Sequence, residues 1–198
     1  MILVFPAEPY LAGYAEALRR GWSPNNERPA AEAQEHLERI AGDPITFLRS
    51  LVDREGAGTA ITLPDGTTVP RLPGYVKWMW DGDFCGSIGF RWQPGTSLLP
   101  EYCLGHIGYS VVGWKRGRGY ATQALRELLS EARGVGLEYL ELTTDPENIA
   151  SQRVIEANGG ALIERFKKPA QYGHAEALRY RIPLGSRGVA GERSATPG

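Results

Sequence analysis

Residues 114–125, with the sequence WKRGRGYATQAL, combine residue types and a spacing that suit an anion-binding site. Three basic residues and two glycines stand directly before an apolar pattern of helical period. A helix N-terminus exposes unpaired N–H groups and carries a partial positive charge. Glycine lets the backbone approach an anion closely and adopt positive φ values. Together these features predict a diphosphate site around Lys115, Arg116, Gly117, Arg118 and Gly119.

Known phosphate-binding motifs narrow this prediction. The Walker pattern G-x-x-x-x-G-K-[ST] is absent from the sequence. The dinucleotide fingerprint G-x-G-x-x-G fails at Thr122, which stands where the third glycine is needed, and no N-terminal βαβ unit precedes it. A nucleotide-binding protein is therefore a weak alternative. A second alternative is an exposed basic helix start that binds no ligand.

The overall composition indicates an ordinary globular protein. The chain has 198 residues, of which 42% are hydrophobic, and its 22 basic residues nearly balance 23 acidic ones. This balance argues against a dedicated nucleic-acid binder. The sequence shows neither a basic leader segment nor a run of about 20 apolar residues, so we predict neither secretion nor a membrane span. Cys85 and Cys103 lack metal-ligand spacing, so we expect no bound metal. We expect both residues to be free thiols in a reducing cytoplasm.

The elements that must position the anion site follow from apolar periodicity and turn residues. We predict strands at 1–5, 74–80, 84–92, 106–113, 137–144, 160–168 and 176–184, and a small hairpin around 63–68. We predict helices at 9–20, 30–41, 43–53, 120–133 and within 148–160. This order predicts an α/β (α+β) fold with a mixed, mostly antiparallel sheet, flanking helices and a central β-α-β unit. Residues 1–184 are expected to form one domain, and 185–198 a disordered tail.

Two sequence blocks resemble the GNAT acetyltransferase superfamily, especially its ribosomal-protein-acetyltransferase-like branch. Residues 116–121, RGRGYA, match its [QR]-x-x-G-x-[GA] signature. Residues 148–160, NIASQRVIEANGG, are similar to its N-x-x-S-x-[RK]-x-x-E-x-x-G helix. The resemblance covers about residues 81–184. It implies the GNAT acyl-CoA N-acyltransferase fold and an enzyme that transfers an acetyl group from acetyl-CoA, releasing CoA.

The resemblance also implies which residues contact acetyl-CoA. The backbone of the first block would hold the pyrophosphate, and the preceding strand would hold the pantetheine arm. A backbone N–H near Val111 would polarise the thioester carbonyl. Two residues of the second block would contact the cofactor as well, although an Asn at a helix start is also an ordinary N-cap. The implied set is Tyr109, Ser110, Val111, Arg116, Gly117, Arg118, Gly119, Tyr120, Ala121, Thr122, Asn148 and Ser151.

The residues that move protons are less clearly indicated. Many family members use a tyrosine as general acid on the second helix, where this sequence has Ile155. His106 is our first candidate for the general base, because an imidazole has a suitable pKa and stands at the start of the cofactor strand. Glu141, which alternates with apolar residues on the next strand, is the second candidate. Tyr172 and His174 are weaker candidates at the substrate end.

The acceptor is expected to be a primary amine, on a small molecule or a peptide, that attacks directly in a ternary complex. Loops 21–29 and 54–73 would frame its site, with the aromatic residues of 74–92 either in the core or lining the pocket. Relatives are often dimers, so a homodimer is one expectation. The alternative function is an acyl-CoA-binding module of the same fold that has lost catalysis, as the missing tyrosine suggests.

Overall fold

The computed structural model describes residues 1–63 and 65–185. The strands are β1 (Ile2–Val4), β2 (Val52–Asp53), β3 (Ile61–Thr62), β4 (Thr68–Val69), β5 (Gly74–Trp80), β6 (Phe84–Arg91), β7 (Ile107–Val111), β8 (Tyr139–Thr144), β9 (Ala161–Lys167) and β10 (Glu176–Pro183). The helices are α1 (Glu8–Arg19), α2 (Pro29–Gly42), α3 (Pro44–Ser50), α4 (Tyr120–Gly134) and α5 (Ile149–Glu156). None of the helices in this part of the chain is long and apolar enough to span a bilayer.

The strands form two main antiparallel sheets and a small hairpin. The first sheet has the order β1-β5-β6-β7, with β2 also paired to β5. The second has the order β8-β10-β9, and β3 pairs with β4. In the described residues no ladder joins β7 to β8, although α4 connects them directly in sequence. The two sheets therefore meet along β7 and β8.

Side-chain alternation in the β5–β6 hairpin produces two hydrophobic cores. On one face, Trp78 and Phe84 pack with Tyr14, Trp22 and other aromatic side chains under the N-terminal helices. The opposite face of the sheet packs against α4, whose apolar side also contacts β8 and β10. Residues i and i+2 of a strand share a face, so one aromatic hairpin serves both cores. Helix α4 is thereby fixed between the two sheets, with its N-terminus at their junction.

The predicted fold class is confirmed, and so are the small hairpin and the β7-α4-β8 unit. Two details differ from the prediction. The single sheet is divided in two, because β7 and β8 diverge. The third helix ends at Ser50 instead of continuing to Asp53, because Val52 pairs with Tyr75 in a short ladder. The predicted disordered tail, apart from its first residue Gly185, lies outside the described residues.

Candidate active site

A cleft of about 620 Å³ opens where β7 and β8 diverge. This volume lies within the usual range for small-molecule sites, roughly 300–1,000 Å³. One wall is the start of α4 with the loop before it, together with the first turns of α5. The strands β7 and β8 form the floor. Every residue predicted to contact the cofactor lines this cleft: Tyr109, Ser110, Val111, Arg116, Gly117, Arg118, Gly119, Tyr120, Ala121, Thr122, Asn148 and Ser151.

The loop before α4, residues 116–119, is called the cradle here. Gly119 is the N-cap of α4 with φ +75°, and Gly117 has φ +77°. L-residues rarely adopt this left-handed conformation. A Cβ atom built on either glycine would meet no other atom within 4 Å. The space over the cradle is thus open at the positive end of a 15-residue helix, which is the arrangement that the sequence predicts for an anion.

Close approach of strand β6 shapes the floor of the cleft under Ser110 and Val111. Gly86 on β6 has φ +148°, and a Cβ atom there would lie 2.2 Å from the Ser110 carbonyl oxygen. Only glycine fits this position. From the other side, the indole N–H of Trp22 donates to the Ser110 hydroxyl at 3.0 Å. The floor is therefore held by the hairpin and by the segment that follows α1.

The two predicted residues of α5 make hydrogen bonds within the protein. The Asn148 side-chain oxygen accepts from the Ser151 N–H at 3.1 Å, so Asn148 is an N-cap. The hydroxyls of Ser151 and Tyr109 lie 2.8 Å apart and join α5 to β7. Burial raises the pKa of Tyr109 to about 12, so this hydroxyl keeps its proton at neutral pH. These contacts set the width of the cleft on the α5 side.

The structure does not bring His106 into the cleft. Its side chain is fully buried, and Nδ1 accepts from the Glu141 N–H at 2.9 Å. The backbone N–H of His106 donates to the Glu141 carbonyl oxygen, which ties the start of β7 to the middle of β8. Burial lowers the pKa of His106 to about 4. A base must reach the proton that it accepts, directly or through water. The position of His106 therefore favours a structural role. Its catalytic role stays a prediction.

Glu141 also lies outside the cleft lining. Leu140 and Leu142 point into the core, and the Glu141 carboxylate emerges on the opposite face of β8. There it accepts from Arg181, with the guanidinium Nη2 2.6 Å from Oε1, and Arg179 lies 3.9 Å away. The carboxylate is engaged in a network on the outer face of the second sheet. Its role as a base likewise stays a prediction.

A second wall of the cleft comes from segments far apart in sequence. Lys168, after β9, pairs with Glu27 at 3.2 Å and with Asp145 at 2.9 Å. The lysine side chain is only 9% exposed, whereas both carboxylates are about half exposed. Asn26 and Arg91 complete this wall. Sequence analysis flagged the loop that contains Asn26 and Glu27 but missed the other three, because no local motif marks them.

Other sequence candidates lie elsewhere. Trp78, Phe90 and Trp92 are buried in the cores, and loop 54–73 contributes no residue to the cleft lining. Directly before this loop, the Asp53 side chain accepts from the N–H groups of residues 57 and 58, which closes a turn. The Tyr172 hydroxyl donates to the Tyr102 carbonyl oxygen at 2.8 Å. Among the described residues, no group of three or more His, Cys, Asp or Glu side chains suits a metal ion.

Comparisons with known proteins address the family and the fold. The model of the acetyltransferase (GNAT) domain matches residues 7–161. A microcin C7 self-immunity acetyltransferase, MccE, solved with acetyl-CoA and AMP, is 14% identical with TM-score 0.58, covering 91% of each chain. RimL, a ribosomal L7/L12 alpha-N-protein acetyltransferase solved with coenzyme A, is 14% identical with TM-score 0.58, covering 91% of this chain and 92% of its own.

A third structure is the acetyl transferase from Salmonella typhimurium that modifies the N-terminal serine of 50S ribosomal subunit protein L7/L12. It is 13% identical with TM-score 0.57, covering 92% of this chain and 94% of its own. Among curated protein sequences, none matches significantly. At these identities the solved structures show the shared fold alone. The family model, which spans well over half of the sequence, shows that this chain belongs to the GNAT acetyltransferase family, whose acetyl donor is acetyl-CoA.

Proposed function

We propose that this chain transfers an acetyl group from acetyl-CoA to a primary amine by direct attack in a ternary complex. The observation that carries the proposal is the cleft, since every predicted cofactor residue lines it and a second, charged wall faces the same space. Residues 1–184 would be the catalytic domain. Cys85 and Cys103 are free thiols, which agrees with a cytoplasmic location.

The cradle residues suit the phosphate groups of the cofactor. Open space over Gly117 and Gly119 leaves room for a pyrophosphate against the N–H groups at the start of α4. The guanidinium groups of Arg116 and Arg118 are exposed beside it and add positive charge. Bound acetyl-CoA supplies the acetyl group as a thioester. The backbone of Tyr109, Ser110 and Val111 would hold the pantetheine arm.

We call the wall formed by Asn26, Glu27, Arg91, Asp145 and Lys168 the acceptor wall, because it suits an amine. Arg91 and Lys168 balance the charges of Glu27 and Asp145, and the two half-exposed carboxylates offer hydrogen-bond acceptors to an ammonium group. Lys168 holds both carboxylates and thereby fixes the loop before α2 against the end of β8. We therefore expect the amine to enter between these segments. Attack needs the neutral amine, so the bound ammonium must release a proton to the solvent or to a side chain.

One observation favours the alternative of a binding module without catalysis. Ile155, at the position of the usual acid, is 1% exposed and packs in the core. No phenol is therefore available from that position. Direct attack remains feasible because a thiolate can leave without a proton from the protein. Turnover separates the two functions, since a binding module would bind the cofactor and release no CoA.

Two measurements test the proposal in sequence. Thermal unfolding is followed with acetyl-CoA, CoA, ATP or NAD at saturating concentrations. Binding at about 100 times Kd raises the free energy of unfolding by about 2.7 kcal/mol, so we expect a clear rise in Tm with acetyl-CoA and CoA alone. Release of CoA is then measured with a panel of amines. No rise in Tm with either CoA compound would contradict the enzyme and the binding module together.

A further inference from the structure

A single carboxylate from a distant hairpin contacts both ends of the cradle. Asp81 lies in the turn between β5 and β6, more than thirty residues before the cradle. Its Oδ1 accepts from the Lys115 ammonium at 2.7 Å. Its Oδ2 accepts from the Tyr120 hydroxyl at 2.6 Å. Lys115 directly precedes residues 116–119 and Tyr120 directly follows them, so one side chain brackets the loop.

The surroundings of Lys115 make this contact a fixed one. The Lys115 side chain is only 11% exposed, and its ammonium lies 3.5 Å from the Cys85 sulfur. The Lys115 ammonium, with the Tyr120 hydroxyl, holds the pKa of Asp81 well below its usual range. Asp81 therefore carries its negative charge throughout the pH range in which the protein works. A half-enclosed ion pair of this kind is less screened by salt than an exposed one.

The carboxylate also decides which charges the cradle presents to a ligand. The Lys115 charge is offset by Asp81, whereas Arg116 and Arg118 are exposed. The cradle glycines have no side chains to hold them, and both lie in the conformationally permissive left-handed region. Without a restraint at each end, the loop would lose its preorganised shape, and ligand binding would have to supply the cost of ordering it.

We propose that Asp81 is a positioning residue that preorganises the cradle for the pyrophosphate of acetyl-CoA. The inference rests on the proposed function, because it concerns the same cradle. Asp81 acts through Lys115 and Tyr120. The competing interpretation is that Asp81 acts as a resident anion that the phosphate must displace. The two interpretations predict opposite changes in affinity when the charge is removed.

The test compares Asp81→Asn with Asp83→Asn. Asp83 belongs to the same turn and carries the same charge, but its nearest carboxylate oxygen is 3.8 Å from Lys115 and its side chain is 62% exposed. We measure the Kd of CoA by calorimetry, and kcat and KM for acetyl-CoA and for the amine. Thermal unfolding without ligand checks that each variant folds. Tyr120→Phe removes one of the two contacts and leaves the ion pair, so it tests the same bracket if Asp81→Asn does not fold.

We expect Asp81→Asn to raise the Kd of CoA and the KM for acetyl-CoA about tenfold, as the loss of a charge-assisted contact implies. The value of kcat and the KM for the amine should stay near those of the wild type, as expected when only uniform binding is lost. Asp83→Asn should resemble the wild type, and Tyr120→Phe should lie between the two.

Unchanged or tighter CoA binding in a folded Asp81→Asn variant would overturn the inference, and tighter binding would identify Asp81 as a resident anion. An equal loss in Asp83→Asn would also overturn it, because the effect would then come from the net charge of the turn. If the wild-type protein itself bound no CoA, the proposed function would fail instead. The two failures are therefore distinguishable.

Discussion

The two sides of the cleft are built in different ways. The proposed cofactor side consists of residues 107–111 and 115–122 and the start of α5, a nearly continuous stretch in which backbone groups face the open space. The proposed acceptor wall consists of charged and amide side chains from four separate segments, at 26–27, 91, 145 and 168. Backbone sites depend on loop conformation and tolerate many side chains. Side-chain sites change with each substitution, so under the proposed function the donor would be kept while the acceptor specificity varies.

Gly119→Trp is expected to have the largest effect, and only on the cofactor side. An indole over the cradle fills the space above the N-terminus of α4, so CoA should bind at least about 100-fold more weakly, equal to roughly 2.7 kcal/mol. Gly136→Trp is the matched control, since Gly136 ends the same helix with φ +85° and open space around it. Calorimetry measures both. Equal losses in the two variants would mean that the effect comes from backbone strain.

His106 joins the two sheets at β7 and β8, so its titration should affect the whole fold. Burial lowers its pKa from 6.5 to about 4, and the unfolded chain therefore binds the proton more readily. The contribution of His106 to the free energy of unfolding is fully present above pH 6.5. It is lost as the pH drops toward 4, by about 3 kcal/mol in total.

His106→Asn keeps an oxygen that can accept from the Glu141 N–H but cannot titrate. Chemical denaturation at pH 7 and at pH 4.5 should show a smaller difference for this variant than for the wild type. Equal pH dependence in both proteins would contradict the burial argument. A changed pH–rate profile in this variant, with stability unaffected, would instead restore His106 as the base.

Lys168→Met should affect the acceptor side alone. Without the ammonium, Glu27 and Asp145 lose their shared partner, and the loop before α2 loses its attachment to the end of β8. We expect the KM for the amine to rise about fivefold, as for partly exposed ion pairs, and the Kd of CoA to stay unchanged. Lys167→Met is the control, because Lys167 is exposed on β9. A lower KM would show that Lys168 competes with the amine.

Glu141→Gln should have the smallest effect, on neither side. The carboxylate pairs with Arg181 on the outer face of the second sheet and does not line the cleft. We expect kcat and its pH dependence to stay within about twofold of the wild type, because a carboxylate outside the cleft cannot reach the proton of the amine. A large loss of kcat, with KM unchanged, would assign the base to Glu141.

Much of the fold could be predicted from local patterns. The aromatic hairpin with its Asp-Gly-Asp turn and the amphipathic period of α4 both formed where expected. The residues predicted to hold the cofactor line one cleft, since a glycine-rich loop and the helix that it begins are adjacent in sequence. His106, Asp81 and Lys168 show the limit of this approach. Their surroundings depend on partners more than twenty residues away, and no period or motif in the sequence encodes such contacts.

Two glycines on β6 have very different freedom to vary. A Cβ atom at Gly86 would overlap the Ser110 carbonyl oxygen at 2.2 Å, whereas one at Gly89 would meet its nearest atom at an ordinary 3.8 Å. Strand β6 lies between β5 and β7, so its backbone cannot move aside for a Cβ atom at Gly86. Repacking of neighbouring side chains therefore offers no compensation. During divergence of the lineage, Gly89 is therefore free to become alanine. Gly86 would persist, because any side chain there would push β6 away from the floor of the cleft.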